Sequence, residues 1–223
     1  MFLRVRLLIV YTVVLAGLLL PAGCRKQPES RTIVCLGDSL TTCGGAGGRY
    51  SDWIAGWLPN EIIVNKGLDR DTLAGGRARF GRDVLGLGPD VVIIALGAAD
   101  FWLMKTDISQ LKADLEDMLA RAKQAGIKVV IASCFGQRDY LLEENVEFGP
   151  ERYGFAERIW RMEQQLCQKY GCFYVPNMQI DIKPNGKGPY WDDNIHPSKE
   201  GNRFVAKRIL SELKKALKAS AKN

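Results

Sequence analysis

Histidine is nearly absent from this chain: His196 is the only one in 223 residues. A single imidazole leaves one candidate for proton shuttling near neutral pH. It also argues against zinc, because neither a second histidine nor a Cys-x-x-Cys pair is present to complete a ligand set. The run Gly-x-x-x-x-Gly-Lys-Ser/Thr is missing as well. The glycines Gly44, Gly45, Gly47 and Gly48 therefore read as a flexible loop lining a site rather than as a phosphate loop. No basic stripe with interleaved aromatics occurs, which speaks against a nucleic-acid partner. Part of the net charge of +6 comes from Lys214, Lys215, Lys218 and Lys222, cations suited to the end of a last helix. Internal repeats and low-complexity tracts are also missing.

What is present fits one globular unit. Hydrophobic residues make up 47% and charged residues 25%, a balance that supports a packed core rather than disorder. The N-terminus has its own grammar: Arg4 and Arg6 precede an apolar run from Leu7 to Leu20, and Pro21-Ala22-Gly23-Cys24 follows. Small residues before a cysteine resemble a bacterial lipobox, which assigns residues 1–24 to a lipoprotein-type signal and Cys24 to lipidation. Simple secretion and a retained anchor are the other two readings, although Leu7 to Gly23 gives only 17 uncharged residues against the roughly 20 of a membrane span. All three place the domain outside the cytoplasm, in a bacterial cell envelope, and the first anchors it to a membrane facing the periplasm. Residues 25–30 read as a polar tether and 31–223 as the domain.

Five further cysteines follow: Cys35, Cys43, Cys134, Cys167 and Cys172. An odd number leaves at least one thiol free or paired between chains. Cys167 and Cys172 flank a helix-to-strand turn, where a bridge and two buried thiols are both open readings.

Apolar patterning alternates between strand and helix. Strands are expected over Thr32–Leu36, Glu61–Val64, Asp90–Leu96, Ile127–Ala132 and Cys172–Val175. The third is nearly all apolar, as a strand buried on both faces should be. Helices are expected over Tyr50–Leu58, Thr72–Leu85, Ile108–Ala125 and Glu151–Tyr170, with a last helix capped by Ser198. Such alternation predicts a parallel five-stranded sheet covered on both faces, with a site at the carboxyl ends of its strands. Ser39 follows strand one, Ala98-Ala99-Asp100 follows strand three, and Asp193–His196 lies between strand five and the last helix.

Ser39 becomes a nucleophile only if a base removes its proton, and His196 is the one imidazole available. Asp193, three residues earlier, can fold back to hold that ring in one tautomer; Asp192, at four residues, points elsewhere. Asp38 reads as a hydrogen-bonding scaffold residue. Trp102, Tyr190 and Trp191 stand beside the motifs, where stacking on substrate and simple packing are both open to them.

These residues carry a family resemblance. Gly37-Asp38-Ser39-Leu40 resembles block I of the GDSL, or SGNH, hydrolase superfamily, and Asp193-Asn194-Ile195-His196-Pro197 resembles its block V, with 157 residues between Ser39 and His196. The resemblance spans roughly 31–217 and implies a flavodoxin-like three-layer α/β/α sandwich. It implies hydrolysis of an ester, thioester or amide through an acyl-serine. By that resemblance Ser39 is nucleophile and oxyanion donor, His196 the general base and Asp193 its orienting acid. No metal or cofactor is implied. Two positions depart from the pattern. Arg70 occupies the block II glycine slot, where its backbone N–H or its guanidinium serves the oxyanion or its side chain pairs with Asp69 or Asp71. Ala99 occupies the block III asparagine slot and has no side-chain donor to offer.

The expected function is a serine esterase of the envelope acting on a small acyl ester, an acetylated polysaccharide or a lipid ester. The lack of a long apolar insertion to serve as a lid favours a short acyl group. Acyl transfer through the same serine, and glycan binding without catalysis, are the alternatives.

Overall fold

The computed structural model describes residues 30–104, 106–136, 150–183 and 187–220. The signal segment with Cys24, and the tether apart from Ser30, lie outside the described residues.

Five strands form one parallel sheet: β1 Thr32–Gly37, β2 Ile62–Gly67, β3 Val91–Ala95, β4 Lys128–Ala132 and β5 Phe173–Val175. Their order is β2-β1-β3-β4-β5, the doubly wound arrangement of the flavodoxin-like fold. The helices are α1 Ser39–Thr42, α2 Tyr50–Trp57, α3 Leu73–Asp83, α4 Ala98–Leu103, α5 Ile108–Gln124, α6 Pro150–Tyr170 and α7 Lys199–Ser220. A single 3-10 turn over Leu85–Leu87 follows α3.

Side chains alternate across a strand, so each strand feeds two cores. Val34, Leu36, Val92, Ile94, Val129 and Ile131 face a layer built by Phe80 of α3, Leu115 and Met118 of α5 and Ile159 of α6. Their neighbours Ile33, Cys35, Val91, Ile93 and Val130 face the opposite layer, with Tyr50 and Ile54 of α2 and Val205, Ile209 and Leu213 of α7. That division makes the fold a three-layer sandwich, and it explains why the central strand β3 is apolar at every position.

Two short helices depart from the sequence reading, which left both segments as loop. Asp38 caps α1, its carboxylate accepting from the Leu40 N–H at 2.9 Å. The glycine before it is needed for close approach: a Cβ at Gly37 would stand 1.9 Å from Thr41 Oγ1 and 2.7 Å from the Ala95 carbonyl. Helix α4 is preceded by Gly97, whose φ of 110° suits glycine.

The glycine-rich loop also departs from expectation. Gly44 and Gly48 pack against Asn202 and Lys199 at the start of α7, and Asn202 Nδ2 donates to the Cys43 carbonyl at 3.1 Å. The loop is thus fastened to α7 instead of lining the cavity beside Ser39. Cys167 and Cys172 are both free, with Cys167 Sγ donating to the Cys172 carbonyl at 3.1 Å. Of the two readings of that pair, unbridged thiols are the one observed.

Candidate active site

Parallel pairing sends β1, β2 and β3 to a common carboxyl edge, and the loops leaving them build the site. Ser39 is the first residue of α1, immediately after β1. His196 and Asp193 come from the loop between β5 and α7. His196 Nε2 lies 2.9 Å from Ser39 Oγ, and His196 Nδ1 lies 2.8 Å from Asp193 Oδ2. Asp193 also accepts from the backbone N–H groups of Ile195 and His196, each at 2.7 Å through Oδ1. Burial works against its charge, but the hydrogen bonds from the His196 ring and from these two N–H groups prevail, holding the carboxyl below the usual range. A lowered pKa keeps Asp193 anionic beside the imidazole. Ser39 and His196 are half-buried, whereas Asp193 is exposed.

The His196 loop is braced from both sides. The Asp192 N–H donates to the His196 carbonyl at 2.9 Å, and Trp191 pairs with Pro197 as an antiparallel bridge. Gln179 Nε2 donates to the Ile195 carbonyl at 2.9 Å. Ser198 accepts from the Gly201 N–H, the cap the sequence leads one to expect, and donates to the Pro189 carbonyl at 2.9 Å. A Cβ at Gly201 would stand 2.0 Å from the Tyr190 carbonyl, so α7 and the loop meet backbone to backbone.

This bracing corrects the expectation for two aromatics. Trp191 is turned inward by its bridge to Pro197 and joins the α7-side core. Tyr190 packs edge-on against Phe204 of α7, ring centres 5.3 Å apart. Neither lines the cavity beside Ser39. Trp102 does, and is partly exposed there.

That cavity, about 250 Å³, lies between Ser39 and His196 on one side and Ala98, Ala99, Trp102 and Leu103 of α4 on the other. Leu40, Ile195 and Arg70 complete it. Ala99 stands at the second residue of α4, so the side-chain amide that an asparagine would bring is missing from the wall. Arg70 is exposed at the rim with φ of 60°, the left-handed region. It occupies the third position of a turn closed by the Asp71 N–H donating to the Leu68 carbonyl at 3.1 Å. A glycine is the ordinary occupant of such a position. Among the described residues, neither the Ser39 nor the Arg70 backbone N–H meets an acceptor.

Arg70 does not pair with its acidic neighbours. Asp69 accepts from Thr42 Oγ1. Asp71 accepts from the Thr72 N–H at 3.0 Å and from Arg79 Nε at 2.7 Å. Arg79 is nearly buried and also donates to the Gly37 and Lys66 carbonyls at 3.1 and 2.8 Å, riveting the ends of β1 and β2 to α3.

Three buried carboxyls tie the site loops together, and sequence reading singles out only one. Asp38 meets the N–H groups of Leu40, Ala99 and Ala98, spanning the loops after β1 and β3; burial is the main influence and raises its pKa to about 7. Asp100 accepts from the Leu73 N–H at 2.9 Å, joining α4 to α3, and burial raises it to about 6. Glu163 of α6 lies behind Gly97, accepts from Tyr174 Oη at 3.0 Å, and is pushed up to about 7 by complete burial. Glu163 has no local signal, since its partner Tyr174 stands on another element. Among the described residues no three His, Cys, Asp or Glu side chains converge as a metal-ligand set.

A serine, an imidazole and a carboxylate in line, beside an apolar cavity at a parallel-sheet edge, are the parts of an acyl-transfer site. Comparison with known proteins agrees. The sequence model of the GDSL-like Lipase/Acylhydrolase family matches residues 35–204, a stretch that holds Ser39, Asp193 and His196. The chain belongs to that family. It is therefore an ester hydrolase by descent. It is 25% identical over 219 residues to an acetylxylan esterase of Geobacillus stearothermophilus, covering 84% of this chain and 96% of that one. It is 24% identical over 216 residues to esterase TesA of Pseudomonas aeruginosa, covering 89% and 98%. Among solved structures, the psychrotrophic esterase EstA from Pseudoalteromonas sp. superposes with a TM-score of 0.69 at 18% identity, covering 85% of this chain and all of that one. The acetyl xylan esterase AlAXEase superposes with a TM-score of 0.67 at 21% identity, covering 81% and 98%. These structural likenesses speak to the fold.

Proposed function

We propose that this esterase works through an acyl-serine intermediate on a small acyl ester, with Ser39 as nucleophile, His196 as general base and acid, and Asp193 as the group that orients the imidazole. The observation that carries the reading is the pair of contacts on one ring, Nε2 to Ser39 Oγ at 2.9 Å and Nδ1 to Asp193 Oδ2 at 2.8 Å.

The chemistry follows from that geometry. As Ser39 Oγ attacks the ester carbonyl, its proton passes to His196 Nε2. Asp193 accepts from Nδ1–H and stabilises the imidazolium. The carbonyl oxygen becomes an oxyanion, for which the unpaired backbone N–H groups of Ser39 and Arg70 are the donors. The imidazolium returns its proton to the departing alkoxide, leaving the acyl group on Ser39. A water molecule, deprotonated by the same nitrogen, then attacks the acyl carbon; the bond to Ser39 Oγ breaks, Oγ takes the proton back from His196, and the carboxylic acid leaves.

A cavity of about 250 Å³ supports a short acyl group, acetyl before octanoyl. The names of the two curated relatives support an acetylated glycan as the first substrate to test and a lipid ester as the second. The lipobox-like run ending at Cys24 supports export and a lipid anchor in the cell envelope.

The test is hydrolysis of p-nitrophenyl acetate, butyrate and octanoate by the full chain and by Ser39→Ala, with mass spectrometry of the enzyme during turnover. The expected result is turnover that falls with chain length, disappears in Ser39→Ala, and adds an acyl mass to the Ser39 peptide. Equal rates in both proteins overturn the reading. For the anchor, Cys24→Ala is expected to move the protein from the membrane fraction to the soluble one, and an unchanged distribution overturns it.

A further inference from the structure

We propose that Arg70 is a specificity-determining residue: it selects esters that carry a carboxylate close to the scissile bond. The inference rests on the serine-esterase reading and names the substrate class of that same site.

Among the described residues, Arg70 is the one Lys or Arg that lines the cavity beside Ser39. Apart from Ser39, His196 and Arg70, its lining is apolar: Leu40, Ala98, Ala99, Trp102, Leu103 and Ile195. Among the described residues, Arg70 forms no ion pair, although Asp69 and Asp71 stand on either side of it in the chain. Thr42 takes Asp69, and Arg79 with the Thr72 N–H takes Asp71. Both neighbours are thus engaged elsewhere, and the guanidinium stays at the rim without an ion-pair partner among the described residues. A planar guanidinium with no internal partner is matched by a planar carboxylate, which accepts two parallel N–H bonds. Apolar walls exclude water from one side and strengthen that pairing.

The backbone gives a second, independent reason. Arg70 holds φ of 60°, a conformation that costs a side-chain-bearing residue stability and that glycine adopts freely. A long cationic side chain at such a position is expensive unless it has work to do. The same wall lacks the neutral donor that an asparagine at position 99 would supply, so the site offers a charged hydrogen-bond donor where a neutral one is missing.

The test uses two matched pairs of substrates and the full chain. Monophenyl adipate against phenyl hexanoate places the carboxylate on the acyl side; 4-acetoxybenzoate against its methyl ester places it on the alcohol side. All rates are taken after subtracting those of Ser39→Ala. The expected result is a preference of about tenfold in kcat/KM for the charged member of one pair, as befits a charge-assisted pair at a half-open site. Which pair responds tells which portion of the substrate Arg70 faces. The ratio should fall to about one in Arg70→Gly, which fits the left-handed backbone, and only part-way in Arg70→Lys, which keeps the charge but not the planar fork. It should persist in Lys207→Gln, a cation on α7 that does not line this cavity. In the native protein the ratio should shrink as NaCl rises from 0.02 to 0.5 M, a readout independent of whether any variant folds. Ser39-dependent turnover without a charge preference, or a preference unchanged in Arg70→Gly, overturns this inference alone. Background rates on all four esters overturn the esterase reading with it.

Discussion

His196 Nε2 lies 2.9 Å from Ser39 Oγ, although 157 residues separate the two in the chain. One side chain is fixed by the cap that starts α1, the other by a loop braced at Trp191, Pro197 and Gln179. The contact is therefore a property of the sheet edge, not of either motif alone.

The first prediction concerns the ring's second partner, Asp193. Asp193→Asn keeps the shape but offers an amide where Nδ1–H needs an acceptor, which favours the wrong tautomer. A loss of about 10³–10⁴ in kcat is expected, comparable to the loss from His196→Ala. Steady-state kinetics on p-nitrophenyl acetate check it. A tenfold loss or less would assign Asp193 a structural role only.

The second prediction concerns the missing oxyanion donor. A donor aimed at the oxyanion contributes about 10²–10³ in rate, or roughly 3–4 kcal/mol. Ala99 lines the cavity from the first turn of α4, so Ala99→Asn places an amide on the wall facing Ser39. An increase of at least about tenfold in kcat on short esters is expected, with KM changed less. An unchanged or lower kcat means the amide fails to reach the oxyanion.

Much of this frame is legible in the chain, for physical reasons that differ by element. The central strands are legible because a strand buried on both faces must be apolar throughout, as Val91–Ala95 is, whereas half-buried β2 with Asn65 and Lys66 is legible only over its first residues. The grouping of Ser39 and Asp193 around His196 is legible because one histidine leaves no choice of ring. Helices α1 and α4 do not read, because four and six residues carry no periodicity and their ends are fixed by distant partners such as the Ala98 and Ala99 N–H groups on Asp38. Tyr190 and Trp191 mislead for a related cause. Proximity in sequence to His196 says nothing about the side of the loop on which α7 collects aromatic rings.

The third prediction is a stability gain at the strained turn. Arg70→Gly relieves a left-handed side-chain clash of roughly 1–2 kcal/mol and gives back roughly 0.5–1 kcal/mol through the freer unfolded chain. A net gain of about 0.5–1 kcal/mol is expected in urea unfolding, with Arg70→Val at a loss instead. A loss in Arg70→Gly would show that the side chain, and not the backbone, decides stability there.

The fourth prediction follows from the buried carboxyl behind Gly97. Glu163 has a pKa raised to about 7 by burial, against an ordinary 4.5. Between these values the folded protein binds a proton that the unfolded chain has released. Stability therefore falls as pH rises from about 4.5 to 7, by an amount on the order of 3 kcal/mol from this group, and levels off above. Glu163→Gln removes the ionisation. Its stability relative to the native protein is expected to improve from pH 5 to about pH 7 and to level off above that in urea melts. A difference that does not vary with pH would mean Glu163 never titrates in the folded state.

The last prediction tests the rivet beneath the site. Arg79 is nearly buried and spans two carboxylates and two backbone carbonyls; its removal leaves Asp71 without its cation, while Asp83 keeps Arg82 and Lys66. The Gly37 carbonyl, two residues from Ser39, would lose a donor. Breaking one side of a buried ion pair typically costs about 3–5 kcal/mol, more than replacing the whole pair with apolar groups. Arg79→Met is therefore expected to lower stability by about that amount. Arg79→Lys should recover little, because a point charge cannot serve four acceptors spread around a planar fork. Activity per folded molecule should fall as well, since the Leu68–Asp71 turn carries Arg70 into the cavity wall. If Arg79→Met instead unfolds at the native urea midpoint, the network is an adornment of the fold, and the placement of Arg70 must be credited to the turn alone.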